Sequence, residues 1–94
     1  LQVEASSRTS LLHSSAPERW NVILANLLAG TIIELAPALA RSLLPAGVLI
    51  TSGVTAEQSE EVSGALSAQG LEVIAQRSEG EWVAICARQP NRAA

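Results

Sequence analysis

Few side chains in this sequence can do chemistry. His13 is the only histidine and Cys86 the only cysteine among 94 residues. Asn26 and Ser52 each end a short apolar run, and Gly53 follows Ser52 directly. One histidine and one cysteine do not make a metal-ligand set, and a lone cysteine cannot form an internal disulfide. We therefore expect no metal centre, and we expect a reducing compartment.

Each of these residues has a structural interpretation beside a functional one. Cys86 lies in an apolar strand, where a cysteine is typically a small inert hydrophobe. His13 lies in a Ser-rich segment with no carboxylate placed to make it a general base, so we predict that it is exposed. Asn26 either caps the next turn or lines a site. Ser52-Gly53 either forms a tight turn, in which glycine relieves strain, or lines the mouth of a site.

Two further features favour structural roles. Trp82 could stack on a ligand, but its strand is expected to lie inside the sheet, so we predict that it fills core. Glu57, Glu60 and Glu61 lie where a helix is expected to begin, and carboxylates there complement the positive end of the helix dipole. We interpret the three glutamates as a solvated helix terminus.

Composition excludes several classes of partner. Six basic residues stand against nine acidic ones, giving a net charge of −3, and no basic run occurs. Direct contact with nucleic acid or with an anionic membrane is therefore not expected. The longest apolar stretches, residues 22–29 and 31–40, are too short to span a bilayer, which needs roughly 18 apolar residues. We therefore expect a soluble protein. The first residue is Leu rather than Met, which predicts that the sequence is a piece of a longer protein.

The elements that position these residues follow from hydrophobic periodicity. Residues 1–4 could form a short strand, and residues 5–18 are predicted to be a loop. The run WNVILAN at residues 20–26 predicts a central parallel strand that is covered on both faces. Gly30 is expected to break this run, and a helix is expected to begin near Leu35 with Pro37 in its first turn or at a kink.

The second part of the chain has clearer boundaries. Residues 44–47 are predicted to turn the chain into a strand over residues 48–52. Thr55 and Gln58 form a capping box before a helix over residues 56–69. Residues 71–77 and 81–88 predict an antiparallel hairpin whose last strand is apolar on both faces. That last strand should therefore lie inside the sheet, and residues 71–77 should form its edge.

Six short blocks, in this order and spacing, resemble the PrmA family of ribosomal-protein methyltransferases. The resemblance covers about residues 19–90. The blocks are NVILANLLAG at 21–30, LAP at 35–37, LPAG at 44–47, SG at 52–53, EQ at 57–58 and GEWV at 80–83. Any one block alone is weak, whereas their combined order is specific.

The resemblance implies an α/β fold, namely the C-terminal half of a Rossmann-like class I methyltransferase sheet. Parallel strands would be followed by a terminal antiparallel hairpin, with flanking helices. Residues 1–18 would be a short strand and loop, residues 19–90 the half-domain and residues 91–94 a tail. The complete domain would use S-adenosyl-L-methionine to methylate amino groups of a ribosomal protein or another lysine-bearing protein. It would need no metal and would act in the cytoplasm, or in an organelle if the source is eukaryotic.

The resemblance also assigns roles to residues. Asn26 would be the catalytic residue, and Asn26 and Leu27 would contact the cofactor. Leu28, Ser52 and Gly53 would line the substrate cleft. Amine methylation is an in-line displacement that needs alignment and a neutral amine. An asparagine carbonyl can orient the amine without the negative charge that would keep it protonated.

Other interpretations remain open at this point. The glycine-rich loop and the ribose-binding acidic residue of the family are absent from this sequence. The chain could therefore be a non-catalytic α/β module, or a subunit that requires a partner chain. A third possibility, a nucleotide-dependent oxidoreductase, is disfavoured by the terminal hairpin.

Overall fold

The computed structural model describes residues 2–3 and 20–90. The elements in chain order are β1 (Gln2–Val3), β2 (Trp20–Asn26), α1 (Ala29–Arg41), β3 (Leu43–Thr55), a 3₁₀ turn (Ala56–Gln58), α2 (Ser59–Ala68), β4 (Glu72–Glu79) and β5 (Trp82–Arg88). The predicted loop at residues 5–18, with His13, and the predicted tail at residues 91–94 lie outside the described residues.

The described strands form one sheet in the order β1-β2-β3-β5-β4. β1, β2 and β3 are parallel, and β5 is antiparallel to both of its neighbours, β3 and β4. The crossover from β2 through α1 to β3 is the repeating unit of an open α/β sheet. The predicted class, a partial Rossmann-like sheet that ends in an antiparallel hairpin, is confirmed. β5 lies inside the sheet and β4 at its edge, as predicted.

The core lies between one face of the sheet and the two helices. Alternate residues of β2, β3 and β5 turn towards α1 and α2, which also contact each other. Aliphatic side chains dominate this layer because the sequence has no Phe or Tyr. The largest buried apolar members are Ile23, Leu43, Leu49, Val54 and Ile85 from the strands and Ile32, Leu35, Leu39, Val62 and Leu66 from the helices.

The opposite face of the sheet is open over the described residues. Val22 and Leu24 of β2 are each 46% exposed, and Ile50 of β3 is 37% exposed. Among the described residues, β2 is therefore covered on one face, and not on both faces as the sequence predicted. The reason is that α1 and α2 pack on the same side of the sheet, so the second apolar stripe of β2 meets no helix among the described residues.

Helix α1 begins earlier than predicted. It runs from Ala29 to Arg41, so Gly30 lies in its first turn and Pro37 lies inside it. An interior proline removes one hydrogen bond and costs about 3 kcal/mol. Burial of the apolar face, with Leu35 and Leu39 fully buried, offsets that cost.

Strand β3 is longer than predicted, because α1 ends before the Leu-Pro-Ala-Gly segment. The Ser42 hydroxyl donates to the Ala38 carbonyl at 2.8 Å just after the helix ends. The segment predicted to turn the chain lies within β3, with Ala46 in the left-handed region at φ 64°. The Ala46 amide donates to the Gln89 carbonyl at 2.9 Å. Pairing with the segment after β5 thus holds a non-glycine residue in a conformation that glycine prefers.

The second helical segment and the hairpin follow the sequence more closely. The capping box forms, with the Thr55 amide and hydroxyl both donating to Gln58 Oε1, at 3.4 and 2.9 Å. Its first turn is 3₁₀, and the α-helix proper begins at Ser59. Gly80 adopts φ 63° in the two-residue turn that joins β4 to β5, so the predicted antiparallel hairpin is confirmed.

Candidate active site

The predicted site residues lie at the carboxyl ends of β2 and β3, where the two neighbouring strands hold them side by side. The two strands are parallel and in register, with the Cα of Asn26 opposite that of Ser52. The Leu27 amide donates to the Ser52 carbonyl at 3.4 Å and continues the pairing beyond β2. Open α/β sheets bind ligands outside the carboxyl ends of their strands, and the predicted site residues lie at such ends.

Asn26 and Ser52 are joined by a side-chain hydrogen bond. The Ser52 hydroxyl donates to Asn26 Oδ1 at 3.3 Å, and both residues are exposed. Their positions on β2 and β3 place them on the open face, in line with Leu24 and Ile50. An amide oxygen can accept two hydrogen bonds, and Ser52 uses one of these positions. The bond fixes the direction in which the Asn26 amide points.

Asn26 does not cap the following helix. The N-cap residue of α1 is Leu28, and no side chain makes a cap hydrogen bond there. The Asn26 amide is instead bonded across to β3. The structural interpretation offered from the sequence, a capping asparagine, is therefore wrong.

Gly53 allows β3 to approach the end of β2 closely. Its φ is +88°, and a Cβ built there would lie 2.8 Å from the Leu27 carbonyl oxygen and 3.6 Å from Asn26 Oδ1. It lies in an irregular stretch of β3, between Thr51 and Val54, where the register with β5 shifts. Both the backbone conformation and the contact require glycine.

Leu27 and Leu28 differ in what they can offer a ligand. The Leu27 side chain is 4% exposed and belongs to the core. Leu27 can therefore offer a ligand only its backbone. Leu28 is 72% exposed beside Asn26, and its carbonyl accepts from the Ile32 amide. Leu28 thus presents an apolar side chain at the mouth of the site.

Trp82 is a residue whose place the sequence analysis misjudged. It is 51% exposed, so the prediction that it fills core is wrong. Val83, Ile85 and Ala87 take the helix-facing positions of β5, which leaves Trp82 on the open face. Its Cα pairs with that of Thr55, the last residue of β3, so Trp82 lies at the same end of the strands as the candidate site. The alternation along β5 is the signal that could have found it.

The remaining candidates do not join this group. Cys86 is half-buried at the middle of β5, opposite Ile50. Glu57, Glu60 and Glu61 are exposed around the start of α2, which agrees with a solvated helix terminus. Within residues 2–3 and 20–90, no group of three or more His, Cys, Asp or Glu side chains is placed to hold a metal ion. No helix in that part of the chain is long and apolar enough to cross a membrane.

A depression lies at the opposite end of the parallel strands, where β3 begins. It is lined by the ends of α1 and α2 and by the segment after β5, with Arg41, Gln69 and Gln89 as its longer polar side chains. Gln89 Nε2 donates to the Ala40 carbonyl near the end of α1 at 3.0 Å. That bond gives Gln89 a structural role, and none of the predicted site residues lies here.

Comparison with known proteins identifies the family. The family model described as ribosomal protein L11 methyltransferase (PrmA) matches residues 2–90. The chain belongs to the PrmA family. A ribosomal protein L11 methyltransferase of Chloroflexus aurantiacus is 44% identical over 81 residues, which are 85% of this chain and 25% of that protein. The chain thus spans about a quarter of the length of this PrmA relative.

Solved structures support the fold. The ribosomal protein L11 methylase of Lactobacillus delbrueckii subsp. bulgaricus superposes with a TM-score of 0.75 at 23% identity, covering 82% of this chain and 40% of that one. The N-methyltransferase NodS of Bradyrhizobium japonicum, solved in complex with S-adenosyl-L-homocysteine, gives a TM-score of 0.63 at 16% identity, covering 85% of this chain and 51% of that one. These two likenesses show that the chain shares the fold of these proteins.

Proposed function

We propose that this chain forms one side of the active site of an S-adenosyl-L-methionine-dependent protein N-methyltransferase. Residues 19–90 would be the C-terminal half of its catalytic domain. The complete enzyme would methylate amino groups of a ribosomal protein, with L11 as the first candidate. One observation carries the proposal. In a PrmA-family chain, the carboxyl ends of β2 and β3 bring together Asn26, Leu28, Ser52 and Gly53.

The described residues fit one side of a cofactor cleft. The carboxyl ends of β2 and β3 offer the backbone of Leu27, the amide of Asn26 and the Ser52 hydroxyl. β2, β3 and the turn between β2 and α1 contain no carboxylate that could hold a ribose and no glycine-rich loop. When bound in the complete domain, S-adenosyl-L-methionine would supply the methyl group on its sulfonium. The remaining cofactor contacts must then come from the part that the longer relatives have.

Asn26 would act by orienting the substrate amine. A primary amine attacks in line only when its lone pair is aligned and unprotonated. The Asn26 carbonyl can accept an N–H of that amine, and the Ser52 hydroxyl holds the carbonyl in place. A neutral amide does this without raising the pKa of the amine, whereas a carboxylate would raise it.

Substitution at Asn26 in a complete enzyme tests this role. In a chimera, residues 2–90 replace the matching stretch of the Chloroflexus aurantiacus relative, and methyl transfer to L11 is followed by mass spectrometry. We expect Asn26→Ala to lower kcat by about 100-fold, the order found when a positioned polar group is removed from an active site. We expect Asn26→Asp to move the rise of the pH–rate profile to higher pH, because a nearby carboxylate keeps the amine protonated.

Asn21→Ala is the matched control, because Asn21 is an exposed asparagine at the other end of β2. It should leave kcat unchanged. Equal rates for Asn26→Ala and Asn21→Ala would remove Asn26 from the mechanism. A chimera that is folded but transfers no methyl group would refute the activity itself.

A non-catalytic module remains the second candidate for the chain by itself. Two observations favour it. The chain spans about a quarter of the length of its Chloroflexus relative, and β2, β3 and the turn between β2 and α1 contain neither a carboxylate nor a glycine-rich loop. Calorimetric titration of S-adenosyl-L-homocysteine into the folded chain separates the two. Micromolar binding would show a site complete without further residues, and no binding would show that the rest of the domain is required. A cytoplasmic or organellar location belongs to the same proposal, and the lone cysteine agrees with a reducing compartment.

A further inference from the structure

The Ser52 hydroxyl is bonded to the side chain of the candidate catalytic residue. It donates to Asn26 Oδ1 at 3.3 Å, across the boundary between β3 and β2. The Cα atoms of the two residues are direct partners in the parallel pairing of these strands. The bond therefore links the last residue of β2 to the strand beside it.

The backbone around Ser52 holds the two strand ends at a fixed separation. The Leu27 amide donates to the Ser52 carbonyl at 3.4 Å. Gly53 permits a close approach, because a Cβ built there would lie 2.8 Å from the Leu27 carbonyl oxygen. The same Cβ would lie 3.6 Å from Asn26 Oδ1, which is an ordinary van der Waals separation. The backbone thus sets the distance between the strands, and the Ser52 hydroxyl bonds to the Asn26 amide.

The hydroxyl decides how the Asn26 amide is turned. An exposed asparagine amide has two orientations of similar energy, related by exchange of its oxygen and nitrogen. Asn26 and Ser52 are both exposed, so core packing does not choose between these orientations. The Ser52 hydroxyl does choose, because it donates to the oxygen. Oδ1 therefore faces β3, and its second acceptor position can serve a ligand.

We propose that Ser52 is a positioning residue for methyl transfer, which acts through Asn26 and not by contact with the substrate amine. Its hydroxyl proton is used on Asn26 Oδ1, and the second acceptor position of Oδ1 takes an N–H of the amine. Alignment of the nucleophile acts on the transition state, so its loss lowers kcat and leaves KM unchanged. The step from Asn26 to the amine rests on the proposed function, whereas the bond between Ser52 and Asn26 does not.

Two substitutions of nearly equal shape test the hydroxyl. Ser52→Thr keeps it, whereas Ser52→Val carries a methyl group in its place, and both β-branched side chains suit a strand. In the Chloroflexus chimera we expect Ser52→Val to lower kcat by roughly three- to tenfold, the effect of one neutral hydrogen bond, with KM for L11 unchanged. We expect Ser52→Thr to retain the rate of the unmodified chimera. Ser67→Val, the same replacement at an exposed position near the end of α2, is the control and should leave kcat unchanged.

A double-mutant cycle identifies the residue through which Ser52 acts. In a chimera that already carries Asn26→Ala, the group that Ser52 positions is gone. Ser52→Val should then change kcat little, because the two residues act as one unit. A loss that persists in full beside Asn26→Ala would mean that Ser52 contacts the substrate itself, and it would overturn the proposal.

The bond is also measured without methyl transfer, by nuclear magnetic resonance of the isotope-labelled chain. The side-chain amide signals of Asn26 are those that Asn26→Ala removes. We expect Ser52→Val to move these signals and Ser52→Thr to leave them close to their original position. The signals of Asn21, at the other end of β2, should stay in place in both variants. Circular dichroism shows whether both variants are folded.

The two measurements separate this proposal from the proposed function. Equal kcat for folded Ser52→Thr and Ser52→Val chimeras would remove the hydroxyl from the mechanism. Asn26 signals that do not move in Ser52→Val, beside an active chimera, would overturn the role of Ser52 and leave the proposed function standing. Asn26 signals that move, beside a folded chimera without methyl transfer, would keep the bond and refute the proposed function.

Discussion

Replacement of Gly53 by alanine is the change whose effect the structure specifies most closely. Gly53 has φ +88°, a region that L-residues with a Cβ rarely adopt. The alanine Cβ would meet the Leu27 carbonyl oxygen at 2.8 Å, a backbone atom that cannot move aside as a flexible side chain could. We expect Gly53→Ala to destabilise the fold and to separate the ends of β2 and β3.

The magnitude has two parts. The left-handed conformation costs a non-glycine residue about 1–2 kcal/mol. Relief of the contact with Leu27 requires a shift of packed backbone, which adds about 1–2 kcal/mol by comparison with overpacking. The sum of about 2–4 kcal/mol is a large fraction of the roughly 5–14 kcal/mol expected for a chain of this length. It should lower the urea midpoint by roughly 1–3 M.

Gly64→Ala supplies the matched control. Gly64 lies inside α2, and a Cβ there would meet nothing within 4 Å. Alanine is the better helix former, so this variant should gain about 0.5–1 kcal/mol. Urea unfolding followed by circular dichroism measures both variants. A loss below about 0.5 kcal/mol for Gly53→Ala would refute the argument from φ and contact.

Two further substitutions test local geometry in the same unfolding assay. Ala46→Gly should stabilise the chain by about 0.5–1 kcal/mol, because Ala46 is held at φ 64° and glycine removes that strain at a smaller cost in chain entropy; destabilisation would show that the Ala46 methyl group is needed. Gln58→Ala should cost about 0.5–1 kcal/mol, because Gln58 Oε1 accepts from both the amide and the hydroxyl of Thr55; Gln69→Ala, at the far end of α2, is the control and should be near neutral.

The sequence predicted those elements whose ends carry local signals. The capping box at Thr55 and Gln58 marked the start of the second helical segment, and a glycine turn marked the hairpin. These signals act over three or four residues, so they do not depend on the rest of the fold. The boundaries of α1 had no such signal. Gly30 and Pro37 both argued for a break, yet packing of the apolar face on the sheet overrides propensity within a helix.

The closeness of Asn26 and Ser52 was also predictable, but the bond between them was not. Asn26 and Ser52 each end an apolar run, and the carboxyl ends of neighbouring parallel strands lie side by side. The hydrogen bond between the two side chains depends on register, which two separate strand patterns do not specify. The burial of Leu27 depends likewise on which face the chain turns as it leaves β2.

The prediction about β2 is the most informative one. Its sequence is apolar on both sides, which predicts a strand with two covered faces, and among the described residues only the side of Ile23 and Ala25 is covered. The periodicity of a strand reflects every surface against which it packs in the complete protein, whereas the described residues supply one such surface, on the side of α1 and α2. The exposure of Leu24 is thus the point at which the sequence pattern of β2 and the described fold differ.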